Sequence, residues 1–314
     1  MNTANFSIQK PDRFIWFILC YLVLCFYYFG VSMMIYFVDY PAISFVHENT
    51  QLVFEIFKDQ LLLVYYIPAG LMVVSSFVFL FNSPKEFPRQ IIWASVILGL
   101  ISVVTTFFVY NNVIAQLPST GFTLDLQKKT LRIGLYLQII PAACQLLLAL
   151  FLLNIYLKDS RPFGRWLFII VFVLTFYTTG TGYAESFVNY KFWASVGKTD
   201  WLPLRFSGST TRFMGIFLIP AFLPILLIIP LIWLRPKAIS RSFTIIFWLA
   251  QLWIFIVTAT YFVPKIQLPL NNSYSLQLIE DLNKYDFMLR GTAGLVLCFI
   301  TAWMFVKAGN KDLK

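Results

Sequence analysis

Apolar residues in this chain neither alternate with polar ones nor keep to one helical face; they run on without interruption for long stretches. A helix crossing the hydrocarbon of a bilayer needs about 20 such residues. A helix also satisfies its own backbone groups in lipid, whereas a membrane barrel would show alternation. The pattern predicts eight spans, near 14–38, 61–82, 90–110, 133–156, 165–188, 213–234, 243–263 and 288–306. Phe14 to Val38 follows Lys10 and Arg13 as a signal peptide would, but it is too long for a signal h-region and no small-residue cleavage site follows. It stands as the first span.

The segments between spans are of two kinds. Lys10, Arg13, Lys85, Arg89, Lys158, Arg161, Arg165, Arg235, Lys237, Arg241, Lys307, Lys311 and Lys314 all fall in tails and short loops on one side. The other side carries four longer connections, near 39–60, 111–132, 189–212 and 264–287, where acids and bases nearly balance. Basic short loops stay in the cytoplasm. The expected architecture is therefore all-α and integral to the membrane, with eight transmembrane helices, both termini cytoplasmic, in the cytoplasmic (inner) membrane. Two of the longer connections repeat apolar residues at helical spacing, Phe45 to Phe57 and Leu276 to Leu289, which predicts short amphipathic helices on the outer surface.

Composition agrees: with 59% apolar and 12% charged residues, the chain cannot coat a soluble globule. The formal charge of +10 then reports membrane topology, and no nucleic-acid partner is expected. Cys20, Cys25, Cys144 and Cys298 all lie in apolar spans, so neither a disulfide nor a thiolate metal site is expected. His47 is the single histidine, too few for a di-histidine metal site or a bis-imidazole haem. There is no phosphate loop, dinucleotide fingerprint or histidine box. No cofactor and no metal are expected; the partners are membrane lipid and a hydrophobic small molecule.

The halves of the chain resemble each other. Phe26-Tyr27-Tyr28-Phe29-Gly30 aligns with Phe176-Tyr177-Thr178-Thr179-Gly180, and Phe37-Val38-Asp39-Tyr40 with Phe187-Val188-Asn189-Tyr190. Ile67-Pro68-Ala69 then meets Ile219-Pro220-Ala221, Thr106 to Val109 meets Thr260 to Val263, and Leu131-Arg132 meets Leu289-Arg290. The common order predicts two four-helix repeats, 1–157 and 158–314. Each has an even number of spans, so both enter the membrane with the same polarity and a pseudo-twofold runs along the membrane normal. A shared site would lie on the non-cytoplasmic side.

Several residues could carry chemistry there. Glu185 falls in the fifth span and shares a helical face with Thr178, Thr181 and Asn189. A carboxyl at that depth is costly unless paired or wet, so it marks either a site or a helix-capping group near the interface. Its counterpart is Ile35, which makes any site asymmetric. Arg132 and Arg290 stand at the entrance of the last helix of each repeat. Each could hold an anionic group, pair with Asp39, Glu185 or Asp286, or sit at headgroup level. Asn112 follows the third span as Asn271 follows the seventh; asparagine can donate to an oxyanion or simply end a helix. Pro68 and Pro220 each free a carbonyl inside a span, and Gly180 and Gly182 permit close helix approach.

Leu268-Pro269-Leu270-Asn271-Asn272, followed by an amphipathic segment ending Tyr285-Asp286-Phe287-Met288-Leu289-Arg290 and a final apolar helix, resembles the signature of the DUF1772, or anthrone oxygenase-like, four-helix membrane family. That family's first helix ends in a proline-containing segment similar to Val38-Asp39-Tyr40-Pro41-Ala42. The chain departs from the pattern in having Tyr285 where the family has tryptophan, in lacking a second-half counterpart of Pro41, and in fusing two units. The resemblance implies a cofactor-independent oxygenase-like enzyme acting on a hydrophobic aromatic or quinone-like molecule. Asn271 and Arg290 would steady an oxyanion and Glu185 would move a proton, with Arg132, Asn112, Asn189, Asp39 and Tyr190 around the substrate. The alternatives are a carrier or channel for a lipophilic or anionic molecule, and a structural subunit of a membrane complex.

Overall fold

The computed structural model describes residues 13–83, 87–105, 107, 124–158, 160–206 and 209–309, and among them there is no strand. Seven helices are long and apolar enough to cross a membrane: α1 (Phe14–Ile43), α2 (Thr50–Asn82), α4 (Lys128–Tyr156), α5 (Pro162–Ser195), α7 (Thr211–Leu234), α8 (Arg241–Asn272) and α9 (Leu276–Gly309). Between them come α3 (Arg89–Val104) and a short amphipathic helix, α6 (Lys198–Arg205). The third expected span corresponds to α3. Its 16 residues reach about 24 Å, short of the ~30 Å hydrocarbon, and most of the expected continuation lies outside the described residues.

The two amphipathic segments expected to lie on the outer surface are instead the N-terminal parts of long helices. Thr50–Leu61 runs on into α2, and Leu276–Asp286 into α9. The reason is burial: Val53, Phe57, Ile279 and Leu282 are each at most 1% exposed, packed against the rest of the protein above the spans.

Helices adjacent in the chain pack side by side, and the fourth returns to the first. α1, α2, α3 and α4 form one ring, and α5, α7, α8 and α9 form a second. The rings meet most extensively where α1 crosses α5. Two glycines make that crossing possible. A Cβ on Gly30 would run into the backbone carbonyl of Tyr177, and a Cβ on Gly180 into that of Tyr27, so the two contacts are reciprocal in one register. Lipid is as apolar as a leucine side chain, so helices in a bilayer associate by close packing of this kind rather than by burial from water.

Each of the seven long helices widens into a π-helical turn in the part farther from the basic short loops. In five of them a proline follows the turn at the second position: Pro41, Pro68, Pro141, Pro220 and Pro269. Proline has no N–H and crowds the carbonyl four residues back, so the ladder opens before it. Side chains take up two of the freed carbonyls. Tyr27 donates its hydroxyl to Val64 O at 3.0 Å, and Tyr177 donates to Ile216 O at 2.7 Å. The π turns of α5, Ala184–Asn189, and of α9, Phe287–Gly291, have no such proline.

Candidate functional site

Those two proline-free turns carry a charged cluster. In α5, Asn189 donates its side-chain amide to Glu185 Oε2 at 2.7 Å across one turn. At the entrance of α9, Arg290 pairs with Asp286 one turn earlier, which makes the one salt bridge among the described residues. Ser186 of α5 donates to the other oxygen of Asp286, and Arg290 Nη2 donates to the Tyr190 hydroxyl at 3.0 Å. The Arg290 guanidinium also lies over the Phe262 ring, 4.2 Å from its centroid. An ion pair this enclosed is held by its extra hydrogen bonds as much as by its charge.

A second arginine approaches from above. Arg205, at the end of α6, donates to Asn271 Oδ1 at 2.8 Å and to the side-chain oxygen of Gln267, both at the C-terminal end of α8. Its guanidinium lies 5.1 Å from the Trp193 ring centroid and 5.9 Å from that of Trp201. Trp201 is fixed in turn by its indole N–H on Leu270 O, at 2.8 Å. Burial draws Arg205 below the ordinary arginine pKa, and the nearby Glu185 and Tyr190 oppose that shift.

α6 is itself anchored from the first half of the chain. The backbone N–H groups of His47 and Glu48 both donate to Asp200 Oδ2 at 2.6 Å, and Asn49 takes a left-handed conformation (φ 53°) to start the next helix.

These groups surround two adjoining cavities. The upper, about 220 Å³, is lined by Asp39 from α1, by Glu185, Asn189 and Tyr190 from α5, by Arg205, by Asn271 from α8 and by Arg290. The lower, about 120 Å³, descends between α5, α7, α8 and α9. Glu185 and Arg290 line both. Asp39 is 0% exposed and lies against Asn189; its two carboxylate oxygens meet no donor in hydrogen-bonding geometry among the described residues.

The structure therefore brings together six of the eight residues singled out from the sequence: Glu185, Asn271, Arg290, Asn189, Asp39 and Tyr190. Arg132 is exposed on α4 and lines neither cavity. Asn112 lies outside the described residues. Arg205, Gln267, Trp193 and Trp201 were not legible as site residues, because one arginine in a connection with Lys191, Lys198 and Arg212 carries no distinguishing signal. Asn271 serves as an acceptor that orients Arg205, where the sequence suggested a direct donor.

Chemically, the arrangement sets a carboxyl beside two guanidinium groups and a phenol, inside aromatic walls. It can donate hydrogen bonds to a developing anion and accept a proton from an adjacent group. Comparison of the chain with protein-family models, with curated proteins and with solved structures finds no match, so the reading of this site rests on its own geometry.

Proposed function

We propose that this multi-pass membrane protein binds a hydrophobic aromatic or quinone-like molecule in the upper cavity and acts on it as a cofactor-independent, oxygenase-like enzyme. In this reading Glu185 accepts a proton from the bound molecule, and Arg290 and Arg205 stabilise the anion that results. One observation carries it. The two outer π turns without a proline to cause them are the two that hold the charged cluster, and such turns concentrate at functional sites. The likeness to the anthrone oxygenase-like family points the same way.

The proposed topology is eight spans in the inner membrane, with α3 as the third span and both termini cytoplasmic. Exposed tryptophans support it: Trp16, Trp93, Trp166 and Trp233 lie at the same helix ends as the basic loops, where an aromatic belt belongs. The paired contacts Gly30–Tyr177 and Gly180–Tyr27, with the paired bonds Tyr27–Val64 and Tyr177–Ile216, support a duplicated unit about a pseudo-twofold. The same contacts weigh against a carrier that rocks one half on the other, because backbone meets backbone at the crossing.

The test begins with protein purified in mild detergent and analysed by absorbance and mass spectrometry for a retained organic molecule. Turnover of that molecule is then compared in wild type and Glu185→Gln. Retained binding with lost turnover is expected; undiminished turnover in Glu185→Gln would remove the assignment.

A further inference from the structure

The lower cavity is not explained by a small polar ring bound above it. Its α5 wall looks polar in sequence, yet Thr175, Thr178 and Thr179 spend their hydroxyls on the carbonyls of Val171, Leu174 and Thr175, each at 2.7 Å. The Gln251 amide is likewise spent on Ala221 O. Away from Tyr183, Glu185, Ser186, Asp286 and Arg290, which also line the space, its wall is hydrocarbon from Phe222, Ile254 and Leu297 and bare backbone at Gly182 and Gly294. A Cβ on Gly294 would meet nothing within 4 Å, and one on Gly182 only the Phe217 ring at 3.7 Å. A polar occupant would find few free donors along that wall, whereas an alkyl group needs none. The two chambers adjoin at Glu185, Arg290, Phe217, Leu218 and Thr258, which line both.

From this geometry we infer that the ligand is an amphiphile with a single hydrocarbon chain. Its polar ring or headgroup sits among Arg205, Arg290 and Glu185, and its chain passes between the shared lining residues into the lower chamber. The inference rests on the ligand-binding reading above and narrows its substrate class to a lipid-soluble, alkyl- or prenyl-substituted molecule. Because lipid is as apolar as the chamber, the chain gains little free energy on leaving the bilayer. Its effect is positional, and steric exclusion is the informative readout.

Protein in lipid nanodiscs is titrated with a dimethoxybenzoquinone lacking a side chain and with the same ring carrying a decyl chain, each corrected for partition into empty nanodiscs. Arg290→Lys should weaken both probes. Gly294→Leu and Ala221→Leu, which fill the chamber from two different helices, should each weaken the decyl probe about tenfold more than the chainless one. Equal effects on both probes, with Arg290→Lys still effective, would reject the chain slot and leave the ligand-binding reading standing. Failure of both probes to bind in an Arg290-dependent way would remove both. A decyl probe with a terminal diazirine gives a check on the unaltered protein. Labelling of Phe222, Ile254 or Leu297 is expected, and labelling confined to outward-facing residues such as Leu226 or Phe299 would overturn the inference.

Discussion

Where the first ring of helices has Ile35, the second has Glu185; where the first has Tyr28, the second has Thr178. Tyr28 is buried, stacks on Tyr65 at 5.1 Å and shares a 2.8 Å hydrogen bond with it, so two phenols fill the middle of the first ring and satisfy each other. At the matched positions the second ring holds Thr178, whose hydroxyl turns back onto its own helix, and Phe217, which lines both cavities. The ion pair differs in the same sense. Asp286 and Arg290 attract each other one turn apart, while the matched positions in the first ring are Lys128 and Arg132, two exposed cations. Two rings with the same order of helix contacts thus differ at their matched positions, and the two cavities described here are lined mainly by the second. The lesson is that similar helix crossings can carry different fillings, decided by a handful of side chains.

That contrast can be broken most severely at the ion pair. Arg290→Ala should cost about 3–5 kcal/mol, since Asp286 is left buried without its cation. Arg132→Ala at the matched position should stay within about 0.5 kcal/mol. Denaturation of both variants in detergent checks this, and equal losses would show that the two rings are electrostatically alike. At the crossing, Gly180→Leu and Gly30→Leu should each cost about 3 kcal/mol or more, because a carbonyl of the other helix must move away. Thermal unfolding in nanodiscs should show both shifted down together; tolerance of either would mean that the crossing is looser than described.

A subtler exchange swaps fillings. Thr178→Tyr should narrow the lower cavity at a cost of about 1–3 kcal/mol and lower the occupancy of a retained chain-bearing ligand, read from the mass spectrum of the purified variant. Ligand retained at wild-type occupancy would separate binding from this cavity. The smallest effect belongs to the shared features: Tyr27→Phe and Tyr177→Phe should each cost about 1 kcal/mol by leaving a proline-freed carbonyl without its donor. The two losses should match. A large inequality would show that the freed carbonyls are not handled alike.

The sequence by itself determined much of this protein. Uninterrupted apolar runs favour helices in lipid, so seven long apolar helices were legible as elements, although three of them, Thr50–Asn82, Arg241–Asn272 and Leu276–Gly309, extend about ten residues beyond the predicted spans. Glu185, singled out for its place in an apolar span, is buried beside Asn189, whereas the recurrence of Leu-Arg joined one buried arginine, Arg290, to an exposed one, Arg132. The prolines pointed to real features, because a missing N–H is a local fact that frees a carbonyl wherever the helix ends up. Tertiary structure decided what those local facts could not. Arg132 and Arg290 look equivalent in sequence, but only Arg290 has an acid one turn away and a phenol on the neighbouring helix. The threonine stripe on α5 reads as polar until the hydroxyls are found spent on their own helix. Arg205 lines the upper cavity from α6, which Asp200 anchors to the backbone at His47 and Glu48, more than a hundred positions earlier in the chain. Apolar length and backbone chemistry are properties of a segment, whereas the partner of a charge and the emptiness of a space are properties of how segments meet.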